Sequence, residues 1–138
     1  MVKPKILLAD DDVDLLQALQ TLLGSEFEIM ASVGDGYALI EAAAAHEPDV
    51  IVADISMPLL SGLRAARQLK KNQPNIRVVF LTVHEEPAFV AEAKKLGASG
   101  YVVKRFADSD LIPAIHKVLQ GGSFISAVLQ ESRPPLDS

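Results

Sequence analysis

The stretch KILLADDDVDLL, residues 5–16, sets an apolar run directly against three aspartates and then against the first residues of a leucine stripe. Two carboxylates about 4 Å apart repel by roughly 4 kcal/mol at an effective dielectric near 20. Crowding Asp10, Asp11 and Asp12 together therefore requires a cation, a proton or full exposure to water. The two flanks say what surrounds the cluster. KILLA reads as a buried strand. Leu15, Leu16, Leu19, Leu22 and Leu23 recur at helical spacing, with Asp12 as a natural N-cap and Gly24 where a C-terminal cap belongs.

The same strand-then-helix grammar repeats outward from this stretch. Short apolar, β-branched bursts stand at 27–33 (FEIMASV), 49–54 (DVIVAD), 77–82 (RVVFLT) and 100–104 (GYVVK). The first, third and fourth of the five are nearly continuous in hydrophobicity, as parallel strands covered on both faces are. Helices are predicted over 37–46, stopped by Pro48, and over 63–71, closed by NQPN. A further helix runs from Pro87 to Gly97, and another over about 109–120 with Pro113 in or near its first turn. The glycines of GDG, residues 34–36, read as an ordinary helix-starting turn. Five strand–helix units imply right-handed crossovers on both faces of a parallel sheet. The predicted fold is α/β, a doubly wound five-stranded parallel sheet in the order 2-1-3-4-5, whose ligand crevice lies at the C-terminal ends of strands 1 and 3. Residues 1–122 form this unit, and 123–138 are expected to be a tail or linker stump.

The chain has 138 residues, a net charge of −5 and no cysteine. That length suits one domain with one core. No apolar run approaches the ~20 residues of a membrane span, MVKPK lacks the apolar segment of a secretory signal, and a cytoplasmic location is the expectation. Basic residues are scattered rather than clustered, which argues against direct nucleic-acid binding.

Placed on this topology, the polar strand ends converge. Asp10 and Asp11 end strand 1, Asp54 ends strand 3, Thr82 ends strand 4 and Lys104 ends strand 5. Each alone has an ordinary explanation as a solvated or strand-end residue. Together, three carboxylates with carbonyls and waters are hard oxygen ligands suited to Mg²⁺ (or Mn²⁺). A lysine across the crevice leaves room for a phosphoryl group, and a carboxylate can act as nucleophile to form an acyl phosphate. Chemistry alone does not fix which aspartate attacks.

The stretch DISMPLLSG, residues 54–62, taken with LLADDD, FLT and YVVK in order, resembles the receiver domain of two-component response regulators, over residues 4–122. The resemblance implies a flavodoxin-like (βα)5 fold and a signalling domain, not an enzyme acting on a separate substrate. It would assist its own phosphorylation and dephosphorylation. It makes Asp54 the phospho-acceptor. Asp10, Asp11 and Asp54, with the backbone carbonyl of Ser56, become the metal ligands. Thr82 becomes the switch hydroxyl, Lys104 its counter-charge and Tyr101 the aromatic residue that changes rotamer. Ser56 and His84, two residues beyond Asp54 and Thr82, are expected on the rim, where they tune the lifetime of the phosphorylated state. The implied partners are a sensor histidine kinase or a histidine phosphotransfer protein, with a homodimer possible. One departure is Arg105, which follows Lys104 where many receivers have proline. A cis bond there would cost about 3 kcal/mol without proline's help. The end LQGGSFIS, residues 119–126, resembles receivers that precede a LuxR-type helix-turn-helix domain.

Two other readings compete. In a haloacid-dehalogenase-like phosphatase, Asp10 and Asp12 would be nucleophile and acid/base, but Asp14 stands where that family has threonine and no acidic pair follows the fourth strand. A receiver-like scaffold working without phosphorylation would have no need of the intact set Asp10, Asp11, Asp54, Thr82 and Lys104. A Ser56–His84–Asp54 hydrolase triad is disfavoured because Ser56 lacks the GxSxG turn of a nucleophile elbow.

Overall fold

The computed structural model of the chain describes residues 2–131. Its elements are β1 (Lys5–Ala9), α1 (Val13–Leu23), β2 (Glu28–Val33), α2 (Gly36–His46), β3 (Val50–Ala53), α3 (Gly62–Asn72), β4 (Arg77–Thr82), α4 (Pro87–Leu96), β5 (Gly100–Val103), a 3₁₀ turn (Lys104–Phe106), α5 (Ala107–Leu119), β6 (Phe124–Ile125) and α6 (Ala127–Glu131). The strands lie in the order β2-β1-β3-β4-β5-β6, and every neighbouring pair is parallel. The apolar runs of β1, β3, β4 and β5 are buried almost throughout, because helices cover both faces of the sheet.

One face of the sheet packs Leu7, Ile51, Val78 and Phe80 against α2, α3 and α4. The other packs Ile6, Leu8, Val52 and Leu81 against the leucine stripe of α1 and Leu111 and Ile115 of α5. Alternation along each strand thus feeds two cores from one sheet. Asp12 caps α1 as its sequence position predicts, accepting from the Leu15 N–H, and Asp35 does the same for α2 through the Ala38 N–H.

Three expectations need correction. The sheet has six strands rather than five: the chain turns back after Gly122, and Phe124–Ile125 pair with Gly100 and Tyr101. Two residues are too short to show a strand period, and they are held by contacts made elsewhere. The folded unit therefore continues past 122, through α6, while the proline-rich end from Ser132 lies outside the described residues. Helix α5 starts at Ala107, straight out of the 3₁₀ turn, so Pro113 falls in its second turn. Gly24 is the C-cap of α1, where the sequence places it, and closes the helix in right-handed geometry with its N–H on Gln20 O.

Two glycines seat the loop that follows β3. The Gly36 N–H donates to Leu60 O (2.9 Å), and a Cβ on Gly36 would stand 2.2 Å from that oxygen. On Gly62, the first residue of α3, a Cβ would stand 1.7 Å from the carbonyl oxygen of Asp54. Only glycine lets α3 approach the end of β3 so closely. Gly62→Ala is expected to destabilise the fold by about 1–3 kcal/mol through overpacking and to shift the Asp54 amide resonance. Chemical denaturation and an NMR amide spectrum check both, and a variant of unchanged stability with an unmoved Asp54 amide would contradict this packing account.

Candidate functional site

The C-terminal ends of β1 and β3 are adjacent, and their registers put Ala9 opposite Ala53. The next residues, Asp10 and Asp54, therefore emerge side by side, and the Asp54 N–H donates to Ala9 O (3.0 Å). One carboxylate oxygen from each of Asp10, Asp11 and Asp54 lies within 4.8 Å of the others. Asp10 and Asp54 are buried and Asp11 is exposed. Asp10 Oδ1 accepts from the Asp12 N–H (2.9 Å), and Asp54 Oδ1 accepts from the Ser56 N–H (3.3 Å).

Lys104 crosses the crevice to both buried carboxylates. Its Nζ lies 2.8 Å from Asp10 Oδ2 and 2.9 Å from Asp54 Oδ2. Burial works against the ammonium's charge, but the hydrogen bonds to Asp10 and Asp54 outweigh it and hold the Lys104 pKa above its usual value. For Asp10 burial dominates: its carboxyl lies above the ordinary range, although the Lys104 and Asp12 hydrogen bonds oppose the shift. Three carboxylates face one ammonium here, so the acidic crowding noted in the sequence is only partly offset by the lysine's charge.

This donor set fits a small hard cation. Three carboxylates, one of them exposed to water, match the few-ligand, water-rich coordination that Mg²⁺ prefers.

On the β4 side, Thr82 is buried, and its Oγ1 accepts from the His84 N–H (3.3 Å). His84 is the junction of this rim. Its Nε2 lies 2.9 Å from Ser56 Oγ, its Nδ1 lies 3.5 Å from Glu86 Oε2, and its ring stacks on Phe89 at 4.2 Å. The two rim residues expected separately from sequence are therefore one hydrogen-bonded pair spanning the β3 and β4 loops. Tyr101 is buried, and its hydroxyl donates to His84 O (2.8 Å). Burial, then the nearby charges of Glu86, Asp54 and Glu85, push that phenol well above its usual pKa, so it stays a donor. The Tyr101 ring, which the resemblance makes the residue that changes rotamer, is buried in this structure.

Arg105, where proline stands in many receivers, reaches across to the β4–α4 loop. Its Nε and Nη2 bond both oxygens of Glu85 (3.1 and 2.9 Å), and its guanidinium lies 4.5 Å from the centre of the Phe106 ring. The described residues contain no cis peptide bond, so Lys104–Arg105 is trans. The sequence reading missed this ion pair and the close approach of Gly62 to Asp54. Opposite charges at 85 and 105 were the one available hint. His46 and His116 lie away from the crevice, and His116 pairs with Glu26 (2.8 Å).

Asp11 adds charge to the cluster but pairs with no cation among the described residues. Asp11→Asn is expected to leave the metal-free melting temperature unchanged or higher, because it relieves like-charge crowding. It should also weaken Mg²⁺ binding by about tenfold or more. Calorimetry in chelator and a Mg²⁺ titration check the two arms. Marked destabilisation without metal would instead make Asp11 a structural hydrogen-bonder.

Residues 6–116 match the model of the response regulator receiver domain. The transcriptional regulatory protein DegU of Brevibacillus brevis is 35% identical over 125 residues, covering 89% of this chain and 53% of its own length. The response regulator GacA of Pseudomonas aeruginosa is 35% identical over 125 residues, covering 88% of this chain and 58% of its own. The chain thus spans about half the length of the curated relatives it matches. A crystal structure of a LuxR-family two-component response regulator from Aurantimonas sp. SI85-9A1 superposes with a TM-score of 0.90 at 26% identity, covering 94% of both chains.

Proposed function

The chain belongs to the response regulator receiver family of two-component systems and is a phosphoryl-accepting switch, and from that premise we propose that Asp54 is the carboxylate that accepts the phosphoryl group. The observation that carries the assignment is the Lys104 bridge. Asp54 is the buried carboxylate that both faces Lys104 and opens the loop carrying Ser56, whose Oγ meets the His84 ring from the β4–α4 loop. Asp10, Asp11, Asp54 and the backbone carbonyl of Ser56 would hold Mg²⁺ (or Mn²⁺), which supplies positive charge against the phosphoryl oxygens. Lys104 then turns its ammonium from Asp54 Oδ2 to the incoming group, neutralising charge that develops there.

The donor is a sensor histidine kinase or a histidine phosphotransfer protein, and the domain turns over only its own phosphoryl group. Nothing in the comparisons supports the phosphatase alternative. No helix among the described residues is long and apolar enough to cross a membrane, which accords with action in the cytoplasm. Direct nucleic-acid binding is not part of this reading, because the basic residues are scattered along the sequence rather than clustered. Self-association of the domain is one way its output could be read.

The readout runs through Thr82 and His84. A phosphoryl group offers the Thr82 hydroxyl a charged acceptor; as the hydroxyl turns to it, the hydrogen bond from the His84 N–H is released. His84 O also holds the Tyr101 hydroxyl. The α4–β5–α5 surface therefore changes by the difference in phosphoryl contacts between two states, a population shift rather than an absolute one.

Incubation with a small phosphodonor and Mg²⁺ should add one phosphoryl group at Asp54, located by mass spectrometry. Labelling of Asp54→Asn, or full labelling in excess chelator, would refute the assignment. Ser56→Ala and His84→Ala should each change the dephosphorylation rate, and the double variant should show less than the product of the two effects because they share one hydrogen bond. Independent, multiplicative effects in phosphate-release kinetics would show that the pair does not act together.

A further inference from the structure

Ser126 is fully buried, lies outside the site described above, and has every polar group engaged. Its N–H donates to Tyr101 O (3.0 Å) and its carbonyl accepts from the Leu129 N–H (3.0 Å). Its hydroxyl donates to Asp110 Oδ2 (2.8 Å) while its Oγ accepts from the Val103 N–H (3.1 Å). The β5–β6 pairing ends at Tyr101 and Ile125. Beyond it, the Ser126 side chain supplies the acceptor that a longer strand would have offered to Val103.

The two hydroxyl bonds bracket the turn that carries Lys104. Val103 immediately precedes that turn and Asp110 lies in the first turn of the helix that follows it. One side chain thereby fixes the distance between the end of β5 and the start of α5. That distance sets where Lys104 leaves the sheet on its way to Asp10 and Asp54. A proline after the lysine would stiffen this segment through its fixed φ. Arg105 does not fix φ, and the turn is held instead by contacts to other segments, Arg105 to Glu85 on one side and Ser126 on the other.

We propose that Ser126 is a positioning residue for Lys104, which makes the segment after Gly122 part of the phosphoryl-transfer apparatus rather than a passive connector. The proposal rests on the reading of Asp54 as phospho-acceptor and Lys104 as its counter-charge. A clamp of this kind acts only through the residue it aims. Its removal should matter while Lys104 is present and cease to matter once Lys104 is gone.

The test is a double-mutant cycle on the whole chain, with Ser126→Ala and Lys104→Met alone and combined. The rate of Asp54 phosphorylation by a small phosphodonor at saturating Mg²⁺ is followed by intact mass. Ser126→Ala should slow the reaction about tenfold, the worth of one well-placed hydrogen bond. In the Lys104→Met background its effect should be less than about twofold. If Lys104→Met forms too little product to time, beryllofluoride affinity replaces the rate, with the same expectation. If Ser126→Ala does not fold, Asp110→Ala takes its place, removing the hydroxyl's acceptor from the half-buried side. Equal slowing in both backgrounds would show a purely structural role and overturn the proposal, as would no slowing when Lys104 is present. An unmodified chain that takes no phosphoryl group at Asp54 would overturn the underlying reading and the proposal with it.

Discussion

One ammonium group between two buried carboxylates organises this molecule. Lys104 directly follows β5, Asp10 follows β1 and Asp54 follows β3, and β4 lies between the lysine and the second aspartate in the sheet. The contact is possible only because parallel strands deliver their ends to the same edge, and because crossovers of one hand place β1, β3 and β5 on the correct side of it. A buried ion pair is weak evidence of stability, since desolvation opposes the attraction. Its value here is chemical. The cluster remains short of positive charge, so it favours cations and is ready to exchange a protein cation for a metal or for new contacts with a phosphoryl group.

The rim converts that local electrostatics into shape. His84 bonds Thr82 through its N–H and Tyr101 through its carbonyl, while its ring contacts Ser56, Glu86 and Phe89, which is the route the proposed readout would take. The Arg105–Glu85 pair joins the same loop to the turn after Lys104. Exposed pairs of this kind contribute little to stability, but a bidentate contact fixes direction well. Tyr101 is buried with its hydroxyl on His84 O, so the phenol ties the position of this loop to β5.

The convergence of the candidate site's side chains was largely legible in the sequence because they obey a positional rule. Asp10, Asp54, Thr82 and Lys104 each terminate an apolar burst, and a parallel topology brings such termini together. The parts that escaped do not follow local patterns. Phe124–Ile125 is too short for a period-2 signal, and Ser126 looks like any loop serine until Val103 and Asp110 are known to flank it. Gly62 reads as a helix start, and only the tertiary approach of α3 to the Asp54 carbonyl explains why nothing larger fits. Gly36 resembles a turn glycine for the same reason. Propensity describes a residue's neighbours in sequence, whereas these five positions are fixed by neighbours in space.

The claim that everything else depends on is that the strand-end cluster is under-compensated and that Lys104 serves as its resident cation. The most direct measurement is the melting temperature of the unmodified chain and of Lys104→Met, each in chelator and in saturating Mg²⁺. The account predicts that Lys104→Met melts lower in chelator and gains more from Mg²⁺ than the unmodified chain does, because the metal then supplies charge the lysine no longer provides. Equal Mg²⁺ stabilisation of both proteins, or none in either, would contradict it.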